Sequence, residues 1–173
     1  MARVLADERI KFSILTSAPA DVTNPTETEL NAGIDASCLI FADDFTWTAT
    51  DSERVGERAL CEGSASESPG IGNYDLGLTL WRWYDEETGE VDAEADVVFD
   101  ALKAKGSTVY MYCRRSGKRH SEAWASGDEI QLGGSVTVDR LQVPDNTGFI
   151  KYRAPLMSGR MTDFSPVAAG AGG

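Results

Sequence analysis

Between Leu76 and Arg115 the chain reads strand, acidic turn, amphipathic helix and strand, and this run constrains the fold more than any other. Leu76, Leu78 and Leu80 alternate with Thr79, Trp81 and Trp83. A strand with large apolar groups on both faces is covered on both sides. Asp85-Glu86-Glu87-Thr88-Gly89 is a polar turn. Val91, Ala95, Val98, Phe99 and Leu102 then recur at helical spacing, which predicts a helix over 91–105. Asp92 is its expected N-cap, Glu94 and Asp96 sit near the positive end, Lys103 and Lys105 near the negative end, and Gly106 stops it. Val109-Tyr110-Met111-Tyr112-Cys113 is the strand that follows. The expectation is a mainly β protein, an antiparallel β-sandwich or barrel with one flanking α-helix.

The remaining signals extend this picture. Phe45, Trp47 and Ala49 alternate with Thr46, Thr48 and Thr50, a strong strand pattern, and Asp43-Asp44 interrupts it as a bulge would. Arg54 to Cys61 is a paired strand. Residues 62–73 carry glycine, serine and Pro69 and read as a flexible loop. Arg114-Arg115-Ser116-Gly117-Lys118-Arg119 is a basic turn leading to a strand at Ser121–Trp124. Glu129–Leu132, Ser135–Val143 and Phe149–Pro155 are further strands, with Gly133-Gly134 a bulge or bend between the first two. Residues 1–35 hold one short strand candidate, Lys11–Leu15, and then a proline-containing loop. They read as an arm that orders on a neighbour. The domain expected is therefore 36–157, followed by a flexible tail over 158–173.

The sequence carries no recognisable catalytic motif. It contains no GxGxxG, Walker lysine loop, GxSxG or HExxH. The adjacent carboxylates Asp43-Asp44 and Glu86-Glu87 diverge if their strands are regular. The acidic turn at 85–92 offers oxygen ligands for calcium but no recognisable loop spacing. Cys38, Cys61 and Cys113 lie far apart and read as small buried apolar residues, and His120 is a lone histidine beside a turn. The sequence therefore points away from an enzyme, with no catalytic residue, cofactor or metal expected. No segment approaches the ~20 apolar residues of a membrane span, and 1–10 carries no apolar run, so a soluble protein made in a cytoplasm is expected.

Charge is uneven. Residues 1–101 hold 22 acidic and 6 basic side chains, whereas 102–173 hold 6 acidic and 10 basic. The whole chain carries −12 at pH 7, and an acidic chain repels nucleic acid. The asymmetry fits either a solvated surface or complementary patches on identical subunits.

Taken in order, CLIFADDFTWTAT, LGLTLWRWYD, DAEADVVFDALKAKG, STVYMYCRR and GGSVTVDRLQVP resemble the major tail proteins of long-tailed, non-contractile bacteriophages, over roughly residues 36–155. The resemblance implies a structural virion protein related in fold to the tube proteins of contractile tails and type VI secretion. It implies six-membered rings stacked into a tube, an acidic lumen through which DNA passes without specific binding, and tape-measure, tail-tip and terminator proteins as partners. Candidate lumen residues are Asp43, Asp44, Asp51, Glu53, Glu57 and Glu62, and candidate subunit-interface residues are Arg114, Arg115, Lys118 and Arg119. The rival readings are a contractile-tail or secretion tube protein, a monomeric β-sandwich binding module and a small β-barrel enzyme.

Overall fold

The computed structural model describes residues 3–61, 63–64 and 66–170. In chain order the elements are β1 (Ile10–Leu15), α1 (Glu27–Ala32), β2 (Ile34–Asp35), β3 (Ile40–Thr50), β4 (Arg54–Glu57), β5 (Ser66–Pro69), β6 (Asn73–Trp81), α2 (Val97–Leu102), β7 (Thr108–Arg115), β8 (Glu129–Val138) and β9 (Lys151–Pro166). The protein is mainly β. Seven strands form one antiparallel sheet in the order β2-β1-β7-β8-β9-β6-β3, and β4 and β5 form a separate two-stranded ribbon.

The sheet has to curl. β2 lies at one edge and β3 at the other, yet only residues 36–39 join them. The five Cα steps from Asp35 to Ile40 span at most about 18 Å, so the two edges approach each other in a half-barrel. Side chains complete the closure. Phe12 on β1 meets Phe45 and Trp47 on β3 edge to face, at centroid distances of 5.2 and 4.9 Å. The Trp47 indole donates to the Leu132 carbonyl on β8 at 2.9 Å. Leu76, Leu78 and Leu80 are buried as the alternation predicts, Thr79 is buried on the opposite face, and α2 adds Val98 and Leu102 to the core.

Several expectations are corrected. The N-terminal segment contributes to the core: Phe12, Ile14, Leu15 and Leu30 are buried, and β1 pairs with β7 along its whole length from Ile10↔Arg115 to Leu15↔Tyr110. The described part of 1–35 therefore carries the apolar set that an arm would lack. α1 is nucleated by a reciprocal cap, in which Thr26 accepts from the Glu29 amide and the Glu29 carboxylate accepts from the Thr26 amide. The helix expected over 91–105 is shorter. Asp92 caps a preceding turn, accepting from the Glu94 and Ala95 amides, and Val91 stays exposed.

No strand forms at 121–124. The two strands expected between 129 and 143 are one, β8, with its register shift between Gly134 and Val136. Gly134 has φ +146°, and a Cβ there would lie 2.1 Å from the Arg160 carbonyl, so the shift depends on glycine. Residues 158–166, expected in the tail, belong to β9, and Val167 is buried. The end of the tail, 171–173, lies outside the described residues. Of the cysteines only Cys113 is buried; Cys38 and Cys61 are exposed.

Candidate assembly surfaces

Three features mark the surface. The first is the open side of β3, an eleven-residue strand that among the described residues pairs only with β6. Its regularity is broken once, between Phe41 and Thr46, where the pairing with β6 shifts register. Asp43 and Asp44 stand in that break. Asp43 is exposed, whereas half-buried Asp44 accepts a hydrogen bond from the Thr79 hydroxyl. The interruption of the strand pattern that suggested a bulge coincides with this break, and within it one carboxylate turns inward and the other outward.

The second feature is the ribbon. Thr50 faces Asn73 and, four residues on, Arg54 faces Pro69, so the β3/β6 register carries through into β4/β5. Bonds from the Glu53 amide to the Ile71 carbonyl and from the Gly70 amide to the Glu53 carbonyl bridge the interval. The loop expected at 62–73 is thus partly one arm of a hairpin. Every residue of β4 and β5 is exposed. Seven residue steps separate Thr50 from Glu57, at most about 25 Å of chain. Three lumen candidates, Asp51, Glu53 and Glu57, lie on or beside it and are exposed. Glu62 lies outside the described residues. The structure therefore splits the lumen candidates between the break in β3 and the ribbon.

The basic turn is organised from within. Arg114 is fully buried; it donates to Asp128 at 2.8 Å and to the carbonyls of Ala123, Arg119 and Glu122 at 2.9–3.1 Å. Its guanidinium lies 5.2 Å from the Trp124 ring centre. Residues 116–128 wrap around this one side chain, which is why the strand expected at 121–124 does not form. Lys118 reaches the other oxygen of Asp128 at 2.5 Å, and Arg119 pairs with Glu8 at 3.2 Å in an exposed contact. Burial opposes the charge on Asp128, but the bonds from Lys118, the Ala125 amide and Arg114 outweigh it and hold its carboxyl below the usual range. Arg114 therefore faces the interior and not a neighbour, whereas Arg115 is exposed.

The third feature was not found from sequence. Trp81, Arg82, Trp83, Tyr84, Phe149 and Ile150 line an open groove of about 530 Å³, with Glu86 and Gly148 at its margin. Trp83, Tyr84, Phe149 and Ile150 are each more than a third exposed, Phe149 to 83%. The polar head of Arg82 is withdrawn: Asp96 accepts from its Nε at 2.9 Å, and its guanidinium lies over Phe99 at 3.7 Å. The signal available was the pair Trp83 and Phe149-Ile150, apolar residues on either side of polar turns.

An open sheet edge, a projecting ribbon and an exposed aromatic groove are the features of a subunit that assembles. The family model for phage tail tube proteins matches residues 1–170, and the chain belongs to that family. It is a structural protein of the phage tail tube, a part of the virion that assembles with copies of itself. No curated protein and no solved structure matches it.

Proposed function

We propose that six copies form a ring, that rings stack into the tube of a long-tailed, non-contractile phage, and that the lumen is an acidic channel for DNA. The observation that carries this reading is the open eleven-residue edge of β3. The Asp43-Asp44 break interrupts that edge, but the stretch Thr46–Thr50 is regular, carries no charge, proline or lysine, has no further strand beside it among the described residues, and is a template for pairing with another chain. Repetition of that contact around an axis gives a closed ring when the rotation per subunit divides the full turn, sixty degrees for six copies.

The charge supports the channel. DNA carries about one negative charge per 1.7 Å of axis. A basic wall would hold it at many points, whereas an acidic wall repels it from all sides and leaves it free to slide. Exposed Asp43, Asp51, Glu53 and Glu57 are the residues proposed for that wall, with Glu62 beside them in sequence. Asp44, bonded to Thr79, contributes its charge from within β3. The tube is proposed to form in the host bacterial cytoplasm on a tape-measure protein, between a tail-tip complex and a terminator. Electron microscopy of the purified protein, dilute and then concentrated, tests the assembly: rings or hollow tubes of uniform width are expected, and small particles at every concentration and with added tail tips refute it. Neutralising Asp43, Asp51, Glu53 and Glu57 together to Asn or Gln is expected to slow genome delivery while tubes still form; normal delivery by such tails would remove these residues from the lumen.

A further inference from the structure

Two cations stand in or beside the aromatic groove, and both are already matched. Arg82 gives its Nε to Asp96 at 2.9 Å, and Lys151 pairs with Asp145 at 3.0 Å. Both also lie over aromatic rings. The Arg82 guanidinium is 3.7 Å from the ring centre of Phe99 and 5.2 Å from that of Tyr84, and the Lys151 ammonium is 5.5 Å from that of Phe41. Phe41 in turn meets Trp81 edge to face at 6.0 Å. The rings at this end of the molecule thus already take cations against their faces. The acidic turn adds negative charge that has no counterpart. Asp85 accepts from the Glu87 and Thr88 amides, and Asp92 from those of Glu94 and Ala95. Glu86 at the margin of the groove, with Glu87 and Glu90 beside it, is exposed, and none of the three makes an ion pair among the described residues.

The groove therefore combines an aromatic lining, about 530 Å³ of space and a surplus of negative charge at its rim. Its occupant has to be positive and has to do without hydrogen bonds from the lining. The Ile150 and Trp83 carbonyls already accept from the Arg82 and Asp92 amides, and Asp96 is held by Arg82. A primary ammonium brings three donors that need partners once water is removed. A quaternary ammonium brings none. Its methyl groups give the rings an apolar surface, and its charge is attracted to their negative faces.

We propose that the groove lined by Trp81, Trp83, Tyr84 and Phe149 is a binding site for a quaternary ammonium group, with a trimethylammonium head against the rings and Glu86 beside its charge. The chemical class is that of choline. The space lies within the range of small-ligand sites and admits the head together with the chain that carries it. Such a site goes beyond the tube reading, does not depend on it, and is measured on the subunit alone.

The four tryptophans of the chain supply the test. Trp81 and Trp83 line the groove, whereas buried Trp47 and Trp124 donate to the Leu132 carbonyl and the Ser13 hydroxyl. Choline titrated into the subunit below its assembly concentration is expected to move the indole N–H resonances of Trp81 and Trp83, with a dissociation constant on the order of 1 mM. Those of Trp47 and Trp124 stay in place. The neutral isostere, in which a tert-butyl group replaces the trimethylammonium, should bind about fivefold more weakly, and so should ethanolamine with its primary ammonium. Phe149→Ala and Glu86→Gln, both at exposed positions, should each weaken choline about threefold with the thermal midpoint unchanged. Resonances of Trp81 and Trp83 that do not move at about 100 mM choline overturn the proposal. Equal binding of the neutral isostere also overturns it, because the groove would then select for apolar surface and not for charge. Unchanged affinity in both variants overturns the placement of the ammonium in this groove.

Discussion

Replacing Arg114 with methionine separates a role inside the subunit from a role between subunits. Arg114 is wholly buried and satisfies three loop carbonyls, of Ala123, Arg119 and Glu122, besides pairing with Asp128. Methionine keeps the stem and its packing but leaves those carbonyls without this donor. The stranding of Asp128 is moderated, because Lys118 still holds its other oxygen at 2.5 Å. Most of the loss therefore sits in the carbonyls, at roughly 1 kcal/mol each, or about 3 kcal/mol in total. Complete removal of a partner from a buried pair costs 3–5 kcal/mol as a rule, and the retained lysine places this case at the lower end. For a chain of this size the thermal midpoint should fall by roughly 6–12 °C. The assay is calorimetry on the subunit at a concentration below that of tube formation. A midpoint within 2 °C of the parent, combined with failure to assemble, would show that Arg114 acts between subunits and that its wrapped loop contributes little.

Other outcomes follow from the same physics. The carboxyls of Asp35, Asp128 and Asp145 are held below their ordinary values, Asp145 down to about 2, so the unfolded chain binds more protons in acid. Their contribution is complete above about pH 4 and is lost as pH falls toward 2, so urea midpoints should drop over that window and drop less steeply in Asp128→Asn; equal slopes would exclude Asp128 as a contributor. Burial pushes the Cys113 thiol up to about 11, so at pH 8 a thiol reagent should modify two cysteines of the native monomer promptly and the third only in denaturant. Gly134→Ala forces a Cβ onto the Arg160 carbonyl at a positive φ and should cost about 3 kcal/mol, and a wild-type denaturation midpoint would mean that the β8–β9 register shift is more pliant than drawn.

How much of this was legible in the sequence depended on whether the signal was local. The alternation from Phe45 to Thr50 and the leucines of β6 fix those strands from their own side chains. α2 was visible as an apolar stripe, but its first turn was overestimated because the Asp96 side chain turns to Arg82 and caps no helix amide. β1 was undervalued for a long-range reason. Lys11 and Ser13 look like a polar face, yet Lys11 is buried because Asp35 at 2.6 Å and the His120 carbonyl receive its ammonium, and Ser13 accepts from the Trp124 indole. The Thr26-x-x-Glu29 cap was readable and was masked by the prolines around it. The charge of the basic turn suggested a subunit interface, whereas Arg114 is a buried post around which a loop winds. The groove joins residues almost seventy positions apart, and no periodicity reports that.

The shared register of β3/β6 and β4/β5 has a consequence for how such a subunit can change length. Each residue added to a strand turns its successors to the opposite face. An insertion of one residue in each arm of the ribbon would therefore turn exposed Leu60 to the opposite face, while two in each arm would restore its orientation about 7 Å further out. The ribbon behaves as a ruler graduated in pairs of residues. The reach of this hairpin can therefore change by even steps with its faces preserved, and by odd ones only with those faces exchanged.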